Sequence, residues 1–197
     1  MSNLTDEIGG ADLYNGLNYS FTCDRYNEPN SSVYLDDGYL QIPAGNYFLY
    51  DFTITAWVYI ISYTYNSIIF DFGNLNNTDS IFTFIADGTY ASISNPKGSN
   101  STIYAFLIRL RQWYHIAFVL YRYRGYLYIN GVLVSAGTIT IPSIVLRERN
   151  FFGRSNQINS NHINAILDDI KLYRGAMTSV QVQADFKKTS KGGCILS

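Results

Sequence analysis

Spacing alone tests whether this chain could be a hydrolase. Glycoside hydrolysis needs two carboxylates roughly 5–10 Å apart across the scissile bond. On a strand, Glu-x-Asp-x-x-Glu would place such a set on one sheet face. The chain has three glutamates: Glu7 near its start, Glu28 in a polar stretch and Glu148 between two arginines. None has that spacing. Nucleophilic catalysis would need a histidine as base. His115 lies inside an apolar run, and His162 has no Cys or Asp motif beside it. The residues therefore predict no enzyme. No Cys/His pair stands at zinc-ligand spacing. Calcium takes six to eight oxygens, mostly from carboxylates and carbonyls. Asp36-Asp37 and Asp168-Asp169 could supply some of them. The same residues serve equally as turn formers and backbone acceptors, and both readings stand.

Sugars present apolar C–H faces and many hydroxyls, so their sites pair aromatic platforms with amide and carboxylate partners. Loops carry such sites more often than strands do. Four stretches have the composition: Tyr63-Thr64-Tyr65-Asn66, Asn74–Asp79, Tyr121–Arg124 and Arg154–His162. Within them Tyr63, Tyr65, Asn66, Asn76, Tyr123, Arg154 and Asn156 are the candidate ligand contacts. The alternative for each is a solvated loop residue. The C-terminus reads Cys194-Ile195-Leu196-Ser197, a prenylation box whose final Ser favours farnesyl. Lys187, Lys188 and Lys191 lie upstream as a weak basic second signal. Lipidation at Cys194 would give peripheral membrane association. The other reading is a chance match.

The elements that must hold these residues are strands. Asn130-Gly131 separates two apolar runs, and a two-residue type I′ turn needs positive φ at both positions. The dipeptide predicts a hairpin of Tyr126–Ile129 and Val132–Ser135, fed by Trp113–Tyr121. Phe52–Ile60 alternates: Phe52, Ile54, Ala56, Val58 and Ile60 share one face. Val33–Pro43 reads as a tight hairpin closed by Asp36-Asp37-Gly38, and Asp87-Gly88 signals another. Thr138–Ile141 is expected to form a short edge strand. Thr178–Phe186 is the one helical candidate, with Thr178 and Gln181 as a capping box. Short strands with turn chemistry between them, in a chain of 197 residues that is 47% hydrophobic, predict an all-β, two-sheet antiparallel sandwich with one short C-terminal helix. Residues 1–11 are expected as a flexible lead-in, 12–187 as the domain and 188–197 as a flexible tail. A net charge of −1 without a basic stripe argues against nucleic acid. No run is long enough for a spanning helix. The start shows no signal-peptide pattern, and two free thiols lean cytosolic. The sequons at Asn3, Asn18, Asn30, Asn76 and Asn100 are discounted as chance in an Asn-rich chain.

Five segments, in order, resemble the laminin-G-like branch of the concanavalin A-like lectin/glucanase superfamily. They are Val33–Pro43, Phe52–Val58, Gln112–Val119, Leu127–Val134 and Ile166–Val182. The resemblance spans roughly residues 13–186. It implies a jelly-roll of two curved sheets, a binding role toward glycans or protein surfaces, sometimes a structural calcium ion, and an extracellular habit that disagrees with the missing export signal. It also implies that acidic residues such as Asp36 or Asp37 can meet Asp168 or Asp169 at calcium. Under it, Trp57, Trp113 and His115 belong to the framework. The leading expectation is a non-catalytic, carbohydrate-binding module working through loops at the sandwich ends, with no required cofactor. A protein-interaction or adhesion module, membrane-tethered through a prenyl group, is second. A glycoside hydrolase relative is third and lacks its carboxylate pair.

Overall fold

A computed structural model describes residues 4–5, 12–62, 67–75, 80–85, 89–94, 101–105, 108–156 and 162–190. The order of elements is β1 (Tyr14–Thr22), β2 (Ser32–Ile42), β3 (Phe52–Ser62), β4 (Ser67–Gly73), β5 (Ser80–Ile85), β6 (Thr89–Ser94), β7 (Ser101–Ala105), β8 (Trp113–Tyr121), β9 (Arg124–Ile129), β10 (Val132–Thr138), β11 (Arg149–Phe152), β12 (Ile163–Tyr173) and α1 (Ser179–Ser190). The strands join in one antiparallel path, β10-β9-β8-β3-β12-β2-β11-β4-β5-β6-β7, with β1 paired to β2.

The path folds over at β2. Its first half, Val33 to Gly38, pairs with β12, and its second half, Leu40 to Ile42, pairs with β11. The predicted hairpin over 33–43 is therefore one bent strand. Asp37 takes the left-handed φ of 47° that a turn would need, but here it produces a bulge. Gly38 is required at this bend, because a Cβ would come within 2.3 Å of the Asn18 carbonyl oxygen on β1. The bend exchanges one sheet neighbour for another and curves the sheet into the two facing layers of a jelly-roll.

The layers close on a core whose pattern is the one written in β3. Phe52, Ile54, Ala56, Val58 and Ile60 are each buried on the inner face, with Ile116, Phe118, Leu120 and Leu127 beside them. Val33 and Leu35 precede the bulge and Leu40 and Ile42 follow it, all inward. Without the extra residue at the bulge one of these pairs would turn outward. Asn130 and Gly131 have φ of 51° and 76°, the expected I′ turn. β10 extends only to Thr138, so Ile139–Ile141 adds no separate edge strand. Instead Ser101 Oγ lies 2.8 Å from Thr140 Oγ1, tying the two layers together.

The outer face of β3, β8 and β9 is covered by α1. Ala117, Val119 and Tyr128 pack on Val182, and the rings of Trp57 and His115 meet Phe186 at 5.7 and 5.8 Å. The capping box forms: the Gln181 amide donates to Thr178 Oγ1, and the Thr178 amide donates to Gln181 Oε1. The helix runs on to Ser190, past the predicted end at Phe186. It stops where the β1–β2 loop caps it. Arg25 Nε and Tyr26 Oη donate to the Thr189 carbonyl. No helix among the described residues is long and apolar enough to cross a membrane.

Candidate functional site

A groove opens at the end of the sandwich where β2 hands over to β3. The connecting loop, residues 43–51, is dense in rings. Its register comes from inside: Phe48 is buried against Phe52 (4.4 Å) and Phe72 (5.1 Å). Gly45 and Arg147 exchange two backbone hydrogen bonds of 2.9 and 3.0 Å. Arg147 is wholly buried, donates from its guanidinium to the Phe72 and Ser143 carbonyls, and lies over the Phe48 ring. Tyr47 Oη donates to the Pro43 carbonyl at 2.7 Å. With those positions fixed, Tyr50 is pushed outward and is 73% exposed.

The opposite wall is the exit of β12. Thr53 Oγ1 donates to the Gly175 carbonyl and accepts from the Met177 amide, both at 2.9 Å, so β3 clamps the segment leading into α1. The third neighbour is the β8–β9 turn, where the Arg122 amide donates to Asp51 Oδ1 at 2.6 Å. Tyr47, Leu49, Tyr50, Asp51, Arg174 and Gly175 line a groove of about 270 Å³. That volume is a little below the usual small-ligand range of roughly 300–1,000 Å³. An exposed ring, a carboxylate and a guanidinium converge there.

Of the sequence-predicted contacts, Tyr123 stands at this end, in the turn bonded to Asp51, and is 66% exposed. Tyr63, Tyr65, Asn66, Asn76 and Cys194 lie outside the described residues. Arg154 sits elsewhere, stacked over Tyr39 (4.9 Å) and Phe151 (4.8 Å) on the outer face of β2 and β11, with His162 packed on the same Tyr39. Asn156 is turned inward and buried. Its side-chain amide donates to the Arg149 carbonyl and its backbone amide to Asp71 Oδ2. It braces a loop and presents nothing to a ligand. Burial pushes the Asp71 carboxyl above its ordinary range, against the lowering effect of bonds from Asn156, Ser155 and Ser80. Tyr50, Asp51 and Arg174 were missed by sequence reasoning. The aromatic density of residues 47–52 was the available signal.

The four aspartates do not come together. Asp36 and Asp37 fall in β2 opposite the start of β12, whereas Asp168 pairs with Trp57. That is three or more residues further along the strand, about 10 Å at 3.3 Å per residue. Asp36 accepts from Tyr34 Oη and Asn164. Asp168 and Asp169 are both bridged by the Arg25 guanidinium, which also lies 4.6 Å over Trp57. Burial and the neighbouring Asp169 push Asp168 up, partly offset by Arg25. These residues do not fit one calcium site. Among the described residues no group of three or more His, Cys, Asp and Glu is arranged to hold a metal. Asp168 and Asp169 instead fasten the β1–β2 loop to the outer face. His115 also belongs to that face. Its Nε2 lies 3.1 Å from Asp185 Oδ2 on α1, and Lys171 Nζ donates to Asp185 Oδ1 at 2.8 Å. Burial and the Asp185 charge push the Tyr173 phenol up to about 12.

Comparison with known proteins fits this architecture. A profile of the concanavalin A-like lectin/glucanases superfamily matches residues 35–183. The chain belongs to that superfamily. Among solved structures of similar fold is domain 4 of AbnA, a GH43 extracellular arabinanase from Geobacillus stearothermophilus, in complex with arabinotriose. It has a TM-score of 0.72 and 18% identity over 94% of this chain and 93% of that one. The binding domain of Paraclostridial Mosquitocidal Protein 1 aligns with TM-score 0.77 and 16% identity, over 96% of this chain and 50% of that one. The receptor binding domain of botulinum neurotoxin type G aligns with TM-score 0.71 and 15% identity, over 91% of this chain and 47% of that one. The chain thus spans about half the length of the two toxin domains. No curated protein matches. In fold the chain resembles these three structures, and its jelly-roll is the one its sequence motifs imply.

Proposed function

We propose that this domain is a non-catalytic carbohydrate-binding module and that the groove at Tyr47–Asp51 and Arg174–Gly175 is its site. The observation that carries the reading is the 73% exposed Tyr50 ring, held beside Asp51 and Arg174 in one groove. A large ring left in water at the tip of an internally braced loop has no packing role. Stacked against the C–H face of a sugar it acquires one. Asp51 and Arg174 can then accept from and donate to ring hydroxyls. The domain of similar fold and nearly equal length in complex with arabinotriose supports a sugar ligand for this architecture. Tyr63, Tyr65, Asn66 and Asn76 remain candidates for extending the contact surface.

The test is a glycan array followed by titration calorimetry on any positive, with Tyr50→Ala beside the wild type. The reading predicts binding that the variant weakens about tenfold, since one aromatic stack is worth on the order of 1 kcal/mol or more. Silence across the array, with capture of a protein ligand that Tyr50→Ala does not disturb, would favour the adhesion reading instead.

A further inference from the structure

The charges around the groove are not balanced. Asp51 is the acidic group in its wall, and its carboxylate already accepts the Arg122 amide at 2.6 Å, which fixes the β8–β9 turn. Arg174 is exposed and has neither a hydrogen bond nor an ion pair among the described residues. The adjoining turn reads Tyr121-Arg122-Tyr123-Arg124, and all four residues are exposed. Arg122 lies 5.2 Å over the Tyr121 ring, which holds its guanidinium at the surface. Three arginines therefore gather at one end of a chain whose overall charge is −1. Tyr50, Tyr121 and Tyr123 stand exposed among them.

A neutral sugar gives such a cluster little to answer, because hydroxyls do not require a fixed cation. An anionic group does. Guanidinium binds a carboxylate or sulfate through two parallel hydrogen bonds, which lysine cannot match. Resting on the proposed saccharide site, we infer that the ligand is an anionic saccharide, with its acidic group on Arg174 and an adjacent ring on Tyr50. Arg122 and Arg124 then draw the next acidic unit of the polymer along the turn. The shared chemistry is a negatively charged sugar, and the charge can come from a uronate or sialate carboxylate or from a sulfate ester.

Titration of the whole protein with three sets of oligosaccharides separates the outcomes: carboxylated (oligogalacturonate and sialyllactose), sulfated (heparin fragments) and neutral (arabinotriose and cello-oligosaccharides). The inference expects one acidic set to bind at least tenfold tighter than any neutral one. It also expects binding to weaken several-fold between 0.05 and 0.3 M salt, as the Debye length shrinks from about 14 to 6 Å. Arg174→Gln should lose about tenfold for the acidic set, the worth of a charge-assisted hydrogen bond, and Arg174→Lys somewhat less. Arg174 is exposed and makes no bond among the described residues, so an unchanged melting curve will show these variants folded. Equal binding of neutral and acidic sets, or salt-independent binding, would overturn the inference and leave the saccharide site standing. No saccharide binding in any set would overturn both. Vesicles containing phosphatidylserine form a fourth arm, and binding to them without binding to acidic saccharides would also refute the inference.

Discussion

Asp185 shows how side chains on this fold divide between framework and surface. It reaches from α1 to His115 and Lys171 on the outer face of the sheet, with its side chain 9% exposed. Burial alone would raise its pKa, but the hydrogen bonds from His115 and Lys171 hold it well below the usual carboxylate range. A depressed folded pKa stabilises the fold above the unfolded value of about 3.9, and the contribution is lost as pH falls toward the folded value. Asp185→Asn should therefore cost on the order of 2–3 kcal/mol at pH 7, the worth of charge-assisted hydrogen bonds to a partly exposed partner, roughly 4–12 °C in melting temperature. The gap to wild type should narrow as the pH drops below about 4. A gap that stays constant from pH 7 to pH 3 would mean that the ion pairs contribute nothing. His115 and the Asp168-Asp169 pair stand out in the sequence because such residues do chemistry elsewhere. Here their partners are Asp185 and Arg25, distant in sequence, and only the folded chain reveals that they hold a helix and a loop in place.

Among the elements, β2 best separates what was legible from what was not. The β3 alternation and the Asn130-Gly131 turn are decided by neighbouring residues, so both could be read directly. Asp36-Asp37-Gly38 has equally clear local chemistry, a left-handed residue followed by glycine. That chemistry serves a turn and a bulge alike. Which of the two forms depends on β12 and β11, more than 100 residues later, competing for the same strand. Gly38→Ala tests the bulge reading. The added Cβ would come within 2.3 Å of backbone at Asn18, where nothing can rotate away. Overpacking of this kind costs about 1–3 kcal/mol. The account expects that loss together with faster amide exchange in β1. A wild-type melt would show that β1 is not held by this contact. The groove was hidden for the same reason. Its walls come from residues 47–51 and 174–175, and only strand pairing between β3 and β12 brings them together.

For the molecule as a whole, the jelly-roll supplies a rigid frame and the loop ends supply chemistry. Its aspartates are distributed along the frame, so calcium and a chelator are both expected to leave the thermal melt unchanged. A melt raised by calcium and lowered by the chelator would show a metal site built from other oxygens. A cluster on the outer face of β2 and β11 and the groove at the sandwich end make different claims on function. One carries Tyr39, Phe151, Arg154 and His162, stacked on one another. The other carries Tyr50, Asp51, Arg174 and the exposed β8–β9 turn. The most direct test is a backbone NMR titration with oligogalacturonate and with arabinotriose. The account predicts that shifts from whichever saccharide binds will cluster at residues 47–51, 121–124 and 174–175. Shifts confined to residues 36–39, 151–156 and 162, or no shifts with either saccharide, would contradict it.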